Sequence, residues 1–599
     1  MSDPLILVDG SLDWSSGVNS TVVTTVASDS NPNGLKRTAV SWMDNATVRD
    51  GGITQRFGWN NIGSIPPVGQ YQGSFIYVPD NQDVSSNYHV MVIGGHVWQV
   101  PTDNPGAAVD LSAQFGVALP ITERVFFCQA EMFLVIQAGD AVTLPLFWDG
   151  ATLRQSKGIT DPNATTSSPP HTNEIPAATC MCYYMGRLWY AQGRSYSAGD
   201  IVGGPTGTLT YNFRDSVLCV QENPLCVGGD GFTVPSNAGN IRGIDFASNI
   251  NVQLGQGILY IGTREQIYSL TVPVTRTDWI AANANNQPLQ VVALSTNGWV
   301  NDRSIVSVNG DLFFQCLEPS IRSLTTAIRN FQQWGNVPIS INENRLLQFT
   351  DRSMLWAASG IYFDNRLLET ALPYQCPVGV AHKAIIPLNF DVISTLDLLT
   401  ATGQALAPVW EGMLEGINVL ELTEGDYGGN PRGFATVWSD SNNAIELWEL
   451  TTSDRWDESD HRVVWYIEFP SFTFGDETAL KKLVSAEIWI DNLMGEVVFH
   501  WDYRPDGYVC WTPWIVYKEC SQATPPLNVN YPQGNLRESY RQMKTLPTPP
   551  LACNPIMARP SNIGFQFQVR LTIKGFCRVR GLFLKGEPVD RKLYDGMVC

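Results

Sequence analysis

Six stretches of this chain repeat one design, large apolar residues entered or left through Gly, Asn or Asp. They are AEMFLVIQAG from Ala130, MGRLWYAQG from Met185, GQGILYIGT from Gly255, VNGDLFFQC from Val308, MLWAASGIYFD from Met354 and FATVWSDSNNAIELWEL from Phe434. Short apolar runs bounded by turn residues are the signature of buried strands joined by tight turns. They recur at intervals of roughly 45 to 80 residues, as propeller blades of about 40 to 50 residues with insertions would. An all-β chain follows, with an irregular β-propeller-like body over residues 63–454. A stacked sandwich is the alternative for that span, because no signature fixes a blade count.

The texture changes from His461 onward. RVVWYIEFPSFTF, LVSAEIWIDNLMGEVVFHWDYRPDGYVCWTPW and FQFQVRLTIKGFCRVRGLFLKG read as longer alternating strands. Val569, Leu571 and Ile573 alternate with Arg570, Thr572 and Lys574, giving one buried and one wet face. Residues 455–599 are therefore expected to form an additional antiparallel β-sandwich, jelly-roll-like, packed on or beside the propeller. Residues 1–62 are expected to be an extended segment with a hairpin that makes assembly contacts. In that segment, NATVRDGGITQRFGW sets Arg49 and Arg56 around Asp50-Gly51-Gly52, the local chemistry of a tight hairpin turn. Helix is scarce, and the best candidate is LTTAIRNFQQW with Leu324, Ile328 and Phe331 on one stripe. Three long segments, 155–179, 196–240 and 518–560, resist assignment to strands and are candidate contact arms or simply loops.

Charge narrows the function. The formal net charge of −19 argues against a generic nucleic-acid binder, whose footprint would be basic. From Ser561 to Cys599 seven Lys/Arg face three carboxylates, a net of +4, which leaves −23 on residues 1–560. A more basic tail of that kind is either a surface for an acidic neighbour or a solvated strand face. Charged residues reach 16%, below the usual ~25%, while aromatics reach 11%. The twelve cysteines form no CxxC pair and read as free, mostly buried thiols made in a reducing cytoplasm. No signal peptide is evident at the start, and no run approaches the ~20 apolar residues of a membrane span.

Catalytic signatures are missing. Six histidines form no HExxH, and no G-x-S-x-G elbow, Walker A loop or dinucleotide fingerprint occurs. Ser453–His461 is the one dense carboxylate cluster. It reads either as a cation site through Asp457, Asp460 and His461 or as a solvated linker. Asp149, Asp245, Asp311 and Asp364 sit where turns want Asp for its backbone hydrogen bonds, not as glycosidase pairs. No catalytic residue, cofactor or metal is expected.

The pattern Asn45, Arg49, Gly51, Gly52, Arg56, Gly58 resembles the start of the tail nozzle (tail tubular protein B-like) proteins of short-tailed dsDNA bacteriophages. LPLFWDGATLRQ from Leu144, GRLWYAQGRSYSAGD from Gly186, and LYIGTREQIYSLTVP running on to NGWVNDRSIVSVNGDLFFQC are also similar in order and texture. The resemblance implies a non-enzymatic virion protein of the viral tail, assembled in the host cytoplasm. Its partners would be itself, as a hexameric ring, an adaptor above, and tail fibres or tip proteins nearby. The dsDNA genome would pass through the lumen without specific binding during ejection. An acidic bore lets a polyanion slide because it neutralises no phosphates. In this picture Arg49 and Arg56, with Gly51 and Gly52 shaping the turn, pair with carboxylates of a neighbouring subunit or ring, where guanidinium geometry favours bidentate contacts; an ordinary exposed turn is the alternative. Two other functions compete: a tail-tip or receptor-binding module contacting the host surface, and a propeller-type carbohydrate-active enzyme.

Overall fold

The computed structural model describes residues 5–21, 35–79, 87–160, 173–203, 213–220, 232–248, 256–273, 275, 277–279, 289, 291–325, 338–391, 408–427, 429–451, 457–458, 461–520, 542–551 and 560–589. Within them the chain is all-β, with a propeller-like body and a two-sheet antiparallel sandwich.

Seven small antiparallel sheets follow one another. Blade 1 comprises Tyr71–Tyr77, Tyr88–Ile93, His96–Val100 and Val109–Asp110; blade 2 comprises Phe126–Ala130, Phe133–Gln137, Leu146–Trp148 and Leu153–Gln155. Blade 3 runs from Cys180–Tyr184 through Arg187–Gln192 and Ser195–Ala198 to Phe232–Thr233; blade 4 runs from Ile241–Ser248 through Gln256–Thr263 and Ile267–Leu270 to Val291–Ser295. Blade 5 has three strands, Val306–Val308, Asp311–Cys316 and Ser320–Ser323. Blade 6 holds Gly360–Phe363, Arg366–Cys376 and Gly379–Asn389; blade 7 holds Asn418–Asp426, Pro431–Ser439 and Ala444–Leu450. A lone pairing of His382 with Val419 joins these last two into one longer sheet. The first strand of each blade packs beside the first strand of the next, and that of blade 7 beside that of blade 1, so the ring closes.

Ring closure has a sequence cause. A four-stranded sheet that is apolar on both faces must bury both, and blade-on-blade stacking does so. Separate apolar clusters fill successive gaps: Val90, Val92, Leu134 and Ile136 between blades 1 and 2, Trp189, Tyr196, Leu259 and Ile261 between blades 3 and 4, Ile361, Leu368, Val419 and Val437 between blades 6 and 7. Turns such as Met185-Gly186 and Asn309-Gly310 have two successive residues at positive φ, the two-residue turn that matches strand twist.

Residues 1–62 do not stand apart from these bodies. The first strands are β1 (Leu7–Ser11), β2 (Trp42–Asp44), β3 (Ala46–Arg49), β4 (Gly52–Gln55) and β5 (Asn60–Ile65). β5 is the outermost strand of blade 7, pairing Ile65 with Ile445, so a strand from the start of the chain fastens the last blade. β1 and β4 pair with Arg578–Pro588, and β2 pairs with Val464–Glu468. The sandwich is thus built from both ends of the described chain. One sheet runs β3, β4, Arg578–Pro588, Lys481–Asp491, Gln542–Leu546; the other runs β2, Val464–Glu468, Phe567–Lys574, Glu496–Pro505, Thr512–Cys520. Trp465, Phe499, Trp501, Val569, Leu571 and Ile573 fill the space between the sheets. The expected alternation holds, since Arg570 and Thr572 are half-buried and Lys574 is exposed.

Candidate functional site

The hairpin turn at Arg49–Gly52 is a two-residue turn with Asp50 at φ 52° and Gly51 at φ 71°. Gly51 accepts that conformation without a Cβ penalty. Gly52 lies in β4 opposite Arg49, where an added Cβ would come within 2.8 Å of Arg578 Cγ. The turn is tied to the sandwich while Asp50 itself stays exposed. Trp14 N–H donates to Gly51 O at 3.1 Å, Arg578 Nη1 pairs with Asp50 Oδ2 at 2.9 Å, and Arg580 reaches the Asp50 carbonyl.

Beneath the hairpin lies a polar hub. Glu411, 1% exposed, receives Thr47 Oγ1 and Val48 N–H at 2.8 Å, Asn389 Nδ2 at 2.6 Å and Arg366 Nε at 3.1 Å. Arg366 also reaches Asp364, Asp391 and Thr47. Burial disfavours the Arg366 charge, but Glu411, Asp364 and Asp391 outweigh it and hold the guanidinium above its ordinary pKa. Thr47 and Val48 belong to the sandwich while Arg366 and Asn389 belong to blade 6, so the hub bolts the two bodies together.

Arg49 Nη2 pairs with Asp364 Oδ2 at 2.7 Å, and its guanidinium lies 4.6 Å from the Phe57 ring. Arg56 is 4% exposed. It donates to Asn45 Oδ1, Phe57 O and Glu415 O and stacks 3.6 Å from the Trp59 ring. The structure therefore places both arginines in contacts within one chain.

A second polar cluster occupies the centre of the blade ring. Glu421 Oε2, from the first strand of blade 7, meets Arg303 Nη1 at 2.9 Å, Tyr71 Oη at 2.6 Å and Ser74 N–H at 2.9 Å. Arg303 Nη2 continues to Val125 O, and Arg124 pairs with Asp302 and with Trp356 O. Groups from blades 1 and 7 and from the segments leading into blades 2, 5 and 6 converge here, inside the ring of first strands, and leave a hollow of about 20 Å³. Burial raises the Glu421 carboxyl above its ordinary value even beside Arg303. Sequence reading missed this cluster, whose members are single polar residues scattered over blade strands and the segments between them.

Asp149 caps its own turn by accepting Ala151 and Thr152 N–H, and Asp311 accepts Leu312 and Thr325 N–H. Asp245 accepts Phe246 N–H, whereas Asp364 serves the arginines. Among the described residues of the basic tail, four cations pair inside the sandwich: Arg578 and Arg580 on Asp491, Arg570 on Asp502, Lys585 on Glu487. Among the described residues nine cysteines are free, all buried except Cys510 and Cys520. Among them, too, no three His, Cys, Asp or Glu gather to hold a metal, and no helix is long and apolar enough to cross a membrane. Asp460, the side chains of Asp457 and His461, residues 326–334 of the expected helix, and large parts of the three long segments lie outside the described residues.

No family model and no curated protein matches the chain. A crystal structure of BBS1N in complex with ARL6DN, soaked with mercury, is similar over 66% of this chain and 98% of its own, at 11% identity and a TM-score of 0.34. A lead-soaked form of that complex gives 10% identity and the same TM-score of 0.34 over 67% of this chain and 99% of its own. A chain of the yeast heterotrimeric Nup82-Nup159-Nup116 nucleoporin complex gives 8% identity and a TM-score of 0.22 over 55% of this chain and 97% of its own.

Proposed function

We propose that this chain is a structural virion protein, a subunit of a ring-shaped phage tail nozzle that conducts the dsDNA genome during ejection and catalyses no reaction. The observation that carries the reading is electrostatic. The chain is formally −19, and twelve described arginines, from Arg37 to Arg580, are already paired with carboxylates of the same chain. A wall built from so acidic a chain neutralises few phosphates and so has little counterion release to gain from holding duplex. The resemblance of Asn45–Gly58 to the start of tail nozzle proteins supplies the rest.

The polar cluster of Arg303 and Glu421 inside the blade ring adds a geometric condition. The conduit runs between copies and not through one propeller. Heterologous contacts between identical subunits close into a ring when the rotation permits, and six copies are the expectation carried by the resemblance. An adaptor ring above and tail fibres or tip proteins nearby complete the proposed surroundings in the virion.

Electron microscopy of the assembled protein or its parent particle tests this directly. The expected image is a sixfold ring with an open lumen, and a gel-shift at low salt is expected to show no retention of duplex. A chain that stays monomeric in the particle, or a lumen lined by Lys and Arg, overturns the proposal.

A further inference from the structure

Between the sandwich and blade 7 lies an open cleft of about 560 Å³ that no role described so far uses. One side is the sandwich sheet, with Tyr466 and Thr572, together with Arg462 just before it; the cleft is also lined by Trp448 of blade 7, by Glu415 and Gly416, and by Asp44 and Asn45. Its volume falls in the ~300–1,000 Å³ range of small-molecule sites.

The lining is half polar and half apolar in kind, and that combination selects among ligands. Trp448 and Tyr466 are both part-exposed rings, held by hydrogen bonds from Trp448 Nε1 to Glu446 Oε2 at 2.9 Å and from Tyr466 Oη to Glu468 Oε2 at 2.8 Å. Ring faces so fixed offer flat platforms at little entropy cost. The cleft is also lined by acceptors, the Asp44 and Glu415 carboxylates, and by one strongly donating side chain, Arg462. Asn45 is 7% exposed and already committed, its Oδ1 receiving Arg56 Nε and Glu415 N–H, so it fixes the Glu415 turn. The lining offers no surplus of positive charge to hold phosphates and nucleotides. A purely apolar ligand would leave the carboxylates desolvated without partners. A molecule with a flat C–H face and a rim of hydroxyls satisfies both sets of groups.

We propose that this cleft binds a short neutral saccharide, one sugar ring stacked on Trp448 or Tyr466 and its hydroxyls shared among Asp44, Glu415 and Arg462. Burial, opposed by the Trp42 indole N–H and reinforced by Glu415, raises the Asp44 carboxyl to about 7, so near neutrality it both donates to and accepts from hydroxyls. The inference is independent of ring formation, because every lining group belongs to one chain.

Saturation-transfer NMR on the full-length protein tests it, with maltotriose, cellotriose and tri-N-acetylchitotriose as probes. At least one is expected to receive saturation through its C–H protons. Glu415→Gln, which alters an exposed turn, is expected to weaken that binding about tenfold with an unchanged melting temperature. Trp448→Ala is expected to abolish it, checked against a retained circular dichroism spectrum. No transfer to any of the three sugars overturns the proposal. So does transfer that survives both substitutions, or transfer to Nα-acetyl-lysine methylamide in place of the sugars, which would make the cleft a seat for a basic side chain.

Discussion

The propeller and the sandwich solve the same burial problem with opposite wiring. Propeller blades are assembled from neighbouring strands, as in blade 2, where Phe126–Ala130 pairs with Phe133–Gln137 across a short turn. The sandwich pairs Leu7 with Gly586 and Trp42 with Glu468, so most of the chain must be in place before its edges meet. Their interiors differ as well: aromatic and aliphatic residues fill the sandwich, while the ring's centre holds Arg303, Glu421 and Arg124. The difference teaches that the N-terminal strands are shared property. β1 to β4 complete the sandwich and β5 completes blade 7, which makes one short segment the clasp of both bodies.

Removing the clasp is the harshest way to test that. Deleting residues 1–65 takes strands from both sandwich sheets and from blade 7, and is expected to abolish cooperative folding altogether, read as loss of a thermal transition by circular dichroism. A truncated chain that still melts cooperatively would mean the propeller closes without β5. Glu411→Ala strikes the seam alone. It strips Arg366 of a buried partner and leaves Thr47, Val48 and Asn389 donors unmatched, a loss of about 3–5 kcal/mol by analogy with broken buried pairs. Calorimetry is expected to split into separate sandwich and propeller transitions; a single transition displaced by less than about 1 kcal/mol would show that the hub does not couple them.

What the residues reveal in advance follows the same division. The Val569, Leu571, Ile573 alternation was legible because strand side chains have a period of two, and the blade strands because apolar runs ended in turn residues. Within the start of the chain only the β3–β4 hairpin is local; partnership was not legible for β1, β2, β5 and the outer edge of β4, whose partners lie hundreds of residues away, as Ile53 with Val579. Arg49 and Arg56 were readable as hairpin arginines, but the Asp364 that takes one and the Glu415 that takes the other sit in loops of the propeller region. The Glu411 and Glu421 hubs each gather partners from several strands, and no local spacing records such a convergence.

Acid sharpens the comparison at a gentler level. His89 in blade 1 is fully buried, and burial lowers its pKa to about 3, with Nε2 placed 2.8 Å from Thr423 Oγ1 of blade 7. A base with a depressed folded pKa contributes stability that is complete above the unfolded value of about 6.5 and is lost as pH falls toward the folded one. Buried carboxyls such as Glu369, raised by burial, act in the opposite sense, so the wild type must be compared with His89→Gln. Relative to that variant, the wild type is expected to lose about 2 kcal/mol between pH 6.5 and pH 5, at 1.4 kcal/mol per unit. A difference that stays flat over this window would mean His89 is not held neutral.

The smallest effects separate the two hairpin arginines. Arg56→Ala removes a buried guanidinium with three hydrogen bonds and its stacking on Trp59, and is expected to cost about 1–2 kcal/mol in urea unfolding. Arg49→Ala removes an ion pair whose side chains are 30% and 28% exposed, and solvent screening limits that loss to about 0.5 kcal/mol. This near-neutrality makes Arg49 the useful probe of assembly. If Arg49→Ala melts like the wild type yet forms fewer rings, the side chain exchanges Asp364 for a neighbouring subunit's carboxylate when copies meet. If ring yield is unchanged, the hairpin's work is finished inside one chain, and the arginine pattern marks the clasp between sandwich and propeller rather than the joint between subunits.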